Sequence, residues 1–278
     1  MDPGLYLVGT PIGNLGDFSP RGIETLKSVD FIAAEDTRVT MKLLGRFDIK
    51  RPLVSYHEHN KARSGEKIFA RLQSGESCAL VTDAGMPAVS DPGEELVRMC
   101  RDAGVAVTVI PGPSALIAAV AASGLSAGRF TFEGFLSTAR RSRSEHLNFL
   151  KTETRAMVFY EAPHKLVRTL RDMLDTFGDR EISVSRELTK LHEETLGTTL
   201  SEALAKYESA PPKGEFVLVI SGKIPQMKTA PDEADAAELA RRYIAQGVSA
   251  KDAARRAADE TGTAKNAVYR AIVTQPEE

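Results

Sequence analysis

The sequence is poor in the features that mark several protein classes. Only two of its 278 residues are cysteines, Cys78 and Cys100. Neither stands in a CxxC pair or at Cys/His metal spacing, so both are read as reduced core thiols and no disulfide framework is expected. A large net charge is missing too: 36 Lys and Arg against 38 Asp and Glu leave −2. No global basic field draws the chain to nucleic acid, and any such contact has to come from local patches. The N-terminus lacks a charged segment followed by a long apolar one, so no signal peptide is expected. One uncharged run, 105–125, raises the question of a membrane span, but Pro111-Gly112-Pro113 at its middle would break a helix. A strand over 105–110, a turn and a helix over 114–123 fit better. What remains is a cytoplasmic protein that needs no membrane. Its 42% hydrophobic and 27% charged residues suit one large or two ordinary domains.

What the sequence does contain is a set of unusual strand ends. The longest is 80–93, LVTDAGMPAVSDPG. An apolar strand over 78–82 opens it and an amphipathic helix follows from Glu94. Gly85, Pro87, Pro92 and Gly93 stop either element from running through it. A plain strand-to-helix connection takes about 2–6 residues. This one is longer, and it carries two carboxylates, Asp83 and Asp91, that a linker does not need. Loops at the carboxyl ends of strands in open α/β sheets hold ligands, and small residues let the backbone approach them closely. Two further loops are similar: Gly9-Thr10-Pro11-Ile12-Gly13-Asn14 after a strand over 5–9, and Pro111-Gly112-Pro113-Ser114-Ala115. The first is not GxGxxG, because Pro11 and Ile12 break the spacing, so a dinucleotide fingerprint is not supported. Three such loops on one sheet edge make a crevice for a flat or extended small molecule.

Polar clusters occupy other strand ends. The strand 31–34 runs into Glu35-Asp36-Thr37-Arg38, either a solvated turn or a cluster facing the crevice. His57-Glu58-His59 follows a weak strand over 54–56. Two histidines at i, i+2 point the same way only on a strand, and no third ligand is signalled, so no metal is expected. Ser19-Pro20 reads as a helix start. The first part alternates strand and helix four or five times, which implies a mainly parallel sheet. A second set opens at 131–136, with strands over 157–160, 182–184 and 215–221. Its short turns suggest a mixed sheet. Arg140, Arg141 and Arg143 read as a solvated helix start. Residues 224–235 read as a Pro/Lys/Asp linker. Beyond it come Ala-rich helices: one over 238–246, one opened by a capping box at Ser249–Asp252, and one capped by Thr263. Between Arg241 and Arg270 stand seven Lys/Arg and three Asp/Glu, a face able to meet phosphate. The expected division is 1–113, 114–223, a linker over 224–235 and a helix-turn-helix-like module over 236–278.

The motifs VGTPIGN, AEDTR, SYHEHN, VTDAGMPAVSDPG, IPGPSA, FYEAPHK and SRELTKLHEE follow one another in that order. Together they resemble the tetrapyrrole methylase superfamily of S-adenosylmethionine-dependent methyltransferases. Within it the match is to the bacterial branch that 2′-O-methylates a decoding-centre cytidine of 16S ribosomal RNA. The resemblance covers about residues 4–222. It implies an α/β protein of two αβα domains with the cofactor cleft between them, plus a small C-terminal helical module. It also implies a homodimer acting on 16S rRNA in the small ribosomal subunit. The implied cofactor contacts are Pro11 and Ile12 in the first loop, and Ala84, Gly85, Met86 and Val89 in the second, with Asp83 supporting that loop. Ser114 and Ala115 supply the third. Tyr160 or Glu161, Leu188 and the backbone near Glu215 hold the adenine side.

Methyl transfer to a ribose hydroxyl also needs a proton acceptor and a partner for the developing oxyanion. Candidates are Glu35, Asp36, His57, Glu187, Lys190 and His192. Asp36 and Lys190 are favoured, since both sit in polar clusters at strand ends; structural salt bridges at 36–38 and 187–190 are the alternative. RNA would meet Lys61 and Arg63, Arg140 to Arg143 and the C-terminal module. Two other functions stay open: a methylase of a tetrapyrrole or other small molecule, and a nucleotide-sensing DNA-binding regulator. The basic tail and the arginine cluster count against the first, and the polar strand ends against the second.

Overall fold

Strands that are apolar throughout are buried on both faces, as in a parallel sheet flanked by helices. The computed structural model, which describes residues 1–125, 128–224 and 233–273, has such a sheet in its N-terminal half. Its strands are β1 (Gly4–Val8), β2 (Phe31–Ala34), β3 (Leu53–Ser55), β4 (Ser77–Val81) and β5 (Val107–Ile110), in the order β3-β2-β4-β1-β5. All pairs are parallel; Leu5 lies opposite Cys78 on one side and Val107 on the other. Alternate residues feed two cores. Tyr6, Val8, Ile32 and Ala34 pack with Leu26 of α1 (Pro20–Ser28) and Leu44 of α2 (Thr37–Arg46). Leu5, Leu7, Phe31 and Ala33 pack with Ile68 and Leu72 of α3 (Lys61–Gln73) and with Leu96 and Cys100 of α4 (Glu94–Asp102). The helix after β1 thus covers one face and the helix after its neighbour β4 covers the other. A crevice opens at the carboxyl ends of strands that diverge in this way.

The second sheet holds β6 (Phe130–Phe135), β7 (Ala156–Glu161), β8 (Glu181–Arg186), β9 (Glu194–Thr199) and β10 (Phe216–Ile220), ordered β6-β7-β10-β8-β9. Only β6 and β7 run parallel, so the sheet is mixed as expected. α6 (Arg140–Leu150), α7 (Pro163–Phe177) and α8 (Leu200–Ser209) bury Leu147, Leu166, Leu170, Met173 and Tyr207 on one face. The other face is covered by α5 (Ala115–Ala122), whose Leu116 and Ala119 meet Val158, Val217 and Val219. The uncharged run 105–125 therefore divides into β5, a turn and α5. No helix among the described residues is long and apolar enough to cross a membrane.

Both sheets belong to one compact unit, residues 1–223; the chain from Ile224 forms a second. In that second unit α9 (Glu233–Ala245), α10 (Ala250–Thr261) and α11 (Lys265–Val273) pack through Ala236, Ala240, Ala253, Ala254, Ala257 and Val268. Ser249 caps α10 by accepting the Asp252 N–H. Of the expected linker, 225–232 lies outside the described residues, and its last three positions are already the start of α9. Thr263 does not take up a cap: α11 starts at Lys265, and the Thr263 hydroxyl meets that of Thr261 at 2.8 Å. Two other elements escape the pattern reading. Residues 37–46 form α2, and 194–199 form β9, an edge strand too polar to announce itself.

Candidate functional site

The turns after β1, β4 and β5 meet through bare backbone. The Thr10 N–H donates to the Gly85 carbonyl at 2.9 Å, and the Gly85 N–H to the Thr10 carbonyl at 3.1 Å. Gly85 has φ +88°, where a side chain would be strained. A β-carbon on Gly9 would stand 2.7 Å from the Gly112 Cα and 2.6 Å from the Met86 Sδ, so only glycine allows the first and third loops to touch. The first loop also reaches the second sheet, where the Asn14 N–H donates to the Thr189 hydroxyl at 3.1 Å. In the 185–190 turn there, Glu187 and Thr189 hold φ of 51° and 67°. Such conformations, rare in residues with side chains, cluster at ligand sites.

Together the two sheets enclose a cavity of about 640 Å³. Ile12, Asp83, Ala84, Gly85, Met86, Val89, Ser114 and Ala115 line it from the first sheet. Tyr160, Glu161, Leu188 and Glu215 line it from the second. Pro11 lies in an adjoining cavity of about 420 Å³, which shares Ile12, Asp83, Ala84 and Glu215 with the larger one. Of the residues considered for proton transfer, Glu35 faces the larger cavity and Lys190 the smaller. Asp36, His57, Glu187 and His192 line neither.

Among the described residues five carboxylates line the larger cavity, Glu35, Asp83, Asp91, Glu161 and Glu215, and the first three have raised pKa values. Burial raises the Glu35 carboxyl above its usual range, and the charges of Asp91 and Asp83 push it further. Burial also raises Asp91, against a hydrogen bond with Thr82. Partial burial raises Asp83, although its carboxylate accepts the Asp36 N–H at 3.2 Å. Asp36 itself is different. Arg38 donates to it from its backbone at 2.8 Å and from its guanidinium at 2.7 and 3.1 Å, and the carboxyl falls to about 2. It serves as the N-cap of α2. Lys190 donates to Glu187 at 3.0 Å and to Glu215 at 2.8 Å; although burial works against its charge, those two bonds leave its pKa raised.

Glu161 is buried, with 3% of its surface exposed. It accepts the Ala162 N–H at 2.8 Å and the Thr169 hydroxyl. Thr169 accepts from the Arg143 guanidinium at 2.7 Å, and Arg143 also donates to Asp172 at 2.5 Å. The expectation of a solvated arginine run at 140–143 is thereby corrected. Arg143 is 4% exposed and supports the cavity wall from behind. The other expected RNA patches are also partly neutralised: Lys61 is paired with Glu58 and Glu95, Arg141 with Glu145, Arg242 with Glu238 and Arg255 with Asp252.

Pattern reading gave no site role to Asp91, Phe135, His164 or Ser185 in the larger cavity, nor to Lys42 and Arg46 in the smaller. Asp91 stood out as a needless charge in a loop. Lys42 and Arg46 were hidden because α2 itself was not foreseen.

The sequence profile of the family described as Tetrapyrrole (Corrin/Porphyrin) Methylases matches residues 4–204. The chain belongs to this family. Among solved structures, uroporphyrin-III C-methyltransferase from Thermus thermophilus superposes with a TM-score of 0.56 at 18% identity, covering 79% of this chain and 94% of that one. Diphthine synthase superposes with a TM-score of 0.59 at 16% identity, over 79% and 90%. Both likenesses show the two-sheet fold. Nearer in sequence are proteins named ribosomal RNA small subunit methyltransferase I. The one from Synechocystis is 48% identical over 95% of each chain. That from Escherichia coli O157:H7 is 42% identical over 98% of this chain and 95% of its own. The Thermotoga maritima protein of that name is 48% identical over 219 residues, 79% of this chain but 98% of its own.

Proposed function

We propose that this chain uses S-adenosylmethionine to methylate the ribose 2′-hydroxyl of a cytidine in 16S ribosomal RNA. We propose further that it does so on the small ribosomal subunit, as a homodimer in the cytoplasm, with the division 1–113, 114–223 and 236–278 into sheet domains and helical module. The observation that carries the reading is the acid-lined, backbone-walled cavity of about 640 Å³. The RNA substrate comes from the shared name of the relatives at 42–48% identity.

S-adenosylmethionine, when bound, supplies a methyl group on a positively charged sulfur that an acceptor oxygen displaces in line. The residues present fit such a group. Glu35, Asp83 and Asp91 offer negative charge to a cation, the Gly9–Gly112 contact holds the first and third loops together beside the cavity, and Ile12, Met86 and Leu188 supply an apolar bed. Fixing donor and acceptor at this junction is worth up to roughly 7–11 kcal/mol of barrier. Glu35 is the better proton acceptor of the two neighbouring acids. Its carboxyl is raised toward the pH of use, whereas Asp36 is held at about 2 by Arg38 and is a weak base. Asp36 is a positioning residue that caps α2 and donates its N–H to Asp83. Lys190, protonated, lining the smaller cavity and paired with Glu215 of the shared wall, is placed to stabilise the oxyanion as the proton leaves. His192, exposed and away from both cavities, takes no part in the step.

The test is to incubate the protein with labelled S-adenosylmethionine and, in separate reactions, a tetrapyrrole, duplex DNA and small subunits assembled from unmodified 16S transcript. Label is expected only in the RNA, at an alkali-resistant 2′-O-methyl linkage. Label in the tetrapyrrole, or binding to DNA alone, would overturn the reading.

A further inference from the structure

The smaller cavity has a character of its own. Where the larger one is acidic, this one has Lys42 and Arg46 on its wall, one turn apart on α2 and both exposed. Neither has an ion-pair partner among the described residues, unlike Arg38, Lys61 and Lys190. Between and beside these cations lie Leu15, Val39 and Leu43. Leu15 and Val39 are 39% and 40% exposed and present apolar surface beside the two unpaired cations. At about 420 Å³ the space falls within the roughly 300–1,000 Å³ of small-ligand sites.

Resting on the function proposed above, we infer that this cavity receives a single RNA nucleotide turned out of its stack. Its base lies against Leu15, Val39 and Leu43, and its phosphates lie at Lys42 and Arg46. Enzymes that react with one nucleotide of a folded strand extrude it into a pocket, and unstacked bases are held by apolar surfaces. Phosphate is drawn to the unpaired cations of the α2 face and repelled from Glu35 and Asp91, which line only the larger cavity. The ribose then faces the wall shared by the two cavities, Ile12, Asp83 and Ala84, where a donor in the larger cavity can meet it.

Two variants test the assignment, each with the full-length protein and the assembled small subunits. Lys42→Ala/Arg46→Ala removes only exposed cations. It is expected to raise KM for the subunits about tenfold and to flatten the slope of log affinity against log salt by about 1–2. Val39→Trp fills the cavity from an exposed helix position. It is expected to lower kcat/KM for the subunits at least twentyfold. In both, the dissociation constant for S-adenosylmethionine, read by calorimetry, stays within twofold of wild type. Unchanged KM and salt slope in the double variant, or full activity in Val39→Trp, overturns the assignment while wild-type methylation of the subunits upholds the function. Absence of label from the wild-type reaction instead overturns the function itself.

Discussion

The two adjoining cavities are built in opposite ways. The larger is walled by turns whose shape needs glycine, and its charge is negative. The smaller is walled largely by one face of α2, where Lys42 and Arg46 stand without ion-pair partners among the described residues, and its carboxylates, Asp83 and Glu215, lie on the wall it shares with the larger. They share Ile12, Asp83, Ala84 and Glu215. The contrast suggests that charge sorts the reactants before geometry aligns them. A cationic donor is favoured on one side of the shared wall and a polyanionic acceptor on the other, so neither competes for the other's place.

The backbone construction of the larger cavity gives the most severe way to break this comparison. Gly9→Val puts branched carbon where the β-carbon alone would lie 2.7 Å from the Gly112 Cα. The first and third loops must separate, and the Thr10–Gly85 pairing goes with them. We expect S-adenosylmethionine affinity to fall more than a hundredfold, about 2.7 kcal/mol, as measured by calorimetry. An affinity within threefold of wild type would show that these turns do not form the donor site.

The charge of that cavity gives a smaller effect. Asp91→Asn should weaken S-adenosylmethionine about tenfold and S-adenosylhomocysteine, which lacks the sulfonium charge, about twofold. The pH dependence follows the same sign. The Glu35 and Asp91 carboxyls are raised by burial, and a cation binds best to their ionised forms. Binding therefore releases protons, and affinity for the cationic donor falls as the pH is lowered through the raised carboxyls. Calorimetry across a pH series should show a steeper decline for the donor than for its demethylated product. Parallel curves would remove the acidic wall from donor recognition.

The same contrast explains what could be read from the sequence. The larger cavity was legible because glycine and proline mark turns by local sterics, and Gly9, Gly85 and Pro111 to Pro113 need no knowledge of the rest of the fold. The parallel sheet was legible for a similar reason, since β1, β2 and β4 are uninterrupted apolar runs. The smaller cavity was not, because it depends on which face of α2 turns outward. The sequence 35–38 looked like a polar turn, and only tertiary packing of Leu44 shows that a helix follows. Arg143 misled for the complementary reason. Its neighbours Arg140 and Arg141 are exposed, and nothing local reveals that Asp172 and Thr169 close over the third arginine.

Arg143 supports the larger cavity from outside and gives a milder test. Arg143→Met leaves Asp172 half-paired and Thr169 with no donor from behind, next to the buried Glu161. Breaking a buried ion pair by removing one partner costs about 3 kcal/mol, near the low end of the range because Asp172 is partly exposed. Denaturant unfolding should register that loss, and S-adenosylmethionine affinity should drop only a few-fold as Glu161 loosens. No loss of stability would mean that the arginine contributes nothing beyond filling space.

The smallest effect is expected where neither cavity is touched. The Thermotoga relative carries the same name within a chain of which 219 residues are 98%. That length accommodates both sheets but leaves no room for a further three-helix unit. Residues 1–223 form a compact unit here, and both cavities lie wholly within it. Several cations of the helical module are also already paired, Arg242 with Glu238 and Arg255 with Asp252. Ending the chain after Lys223 should therefore leave S-adenosylmethionine affinity within twofold and raise KM for small subunits less than threefold. The tenfold rise expected from the two α2 cations is the standard of comparison. A larger loss on truncation than on replacing Lys42 and Arg46 would move the main RNA contact from the cavity rim to the module.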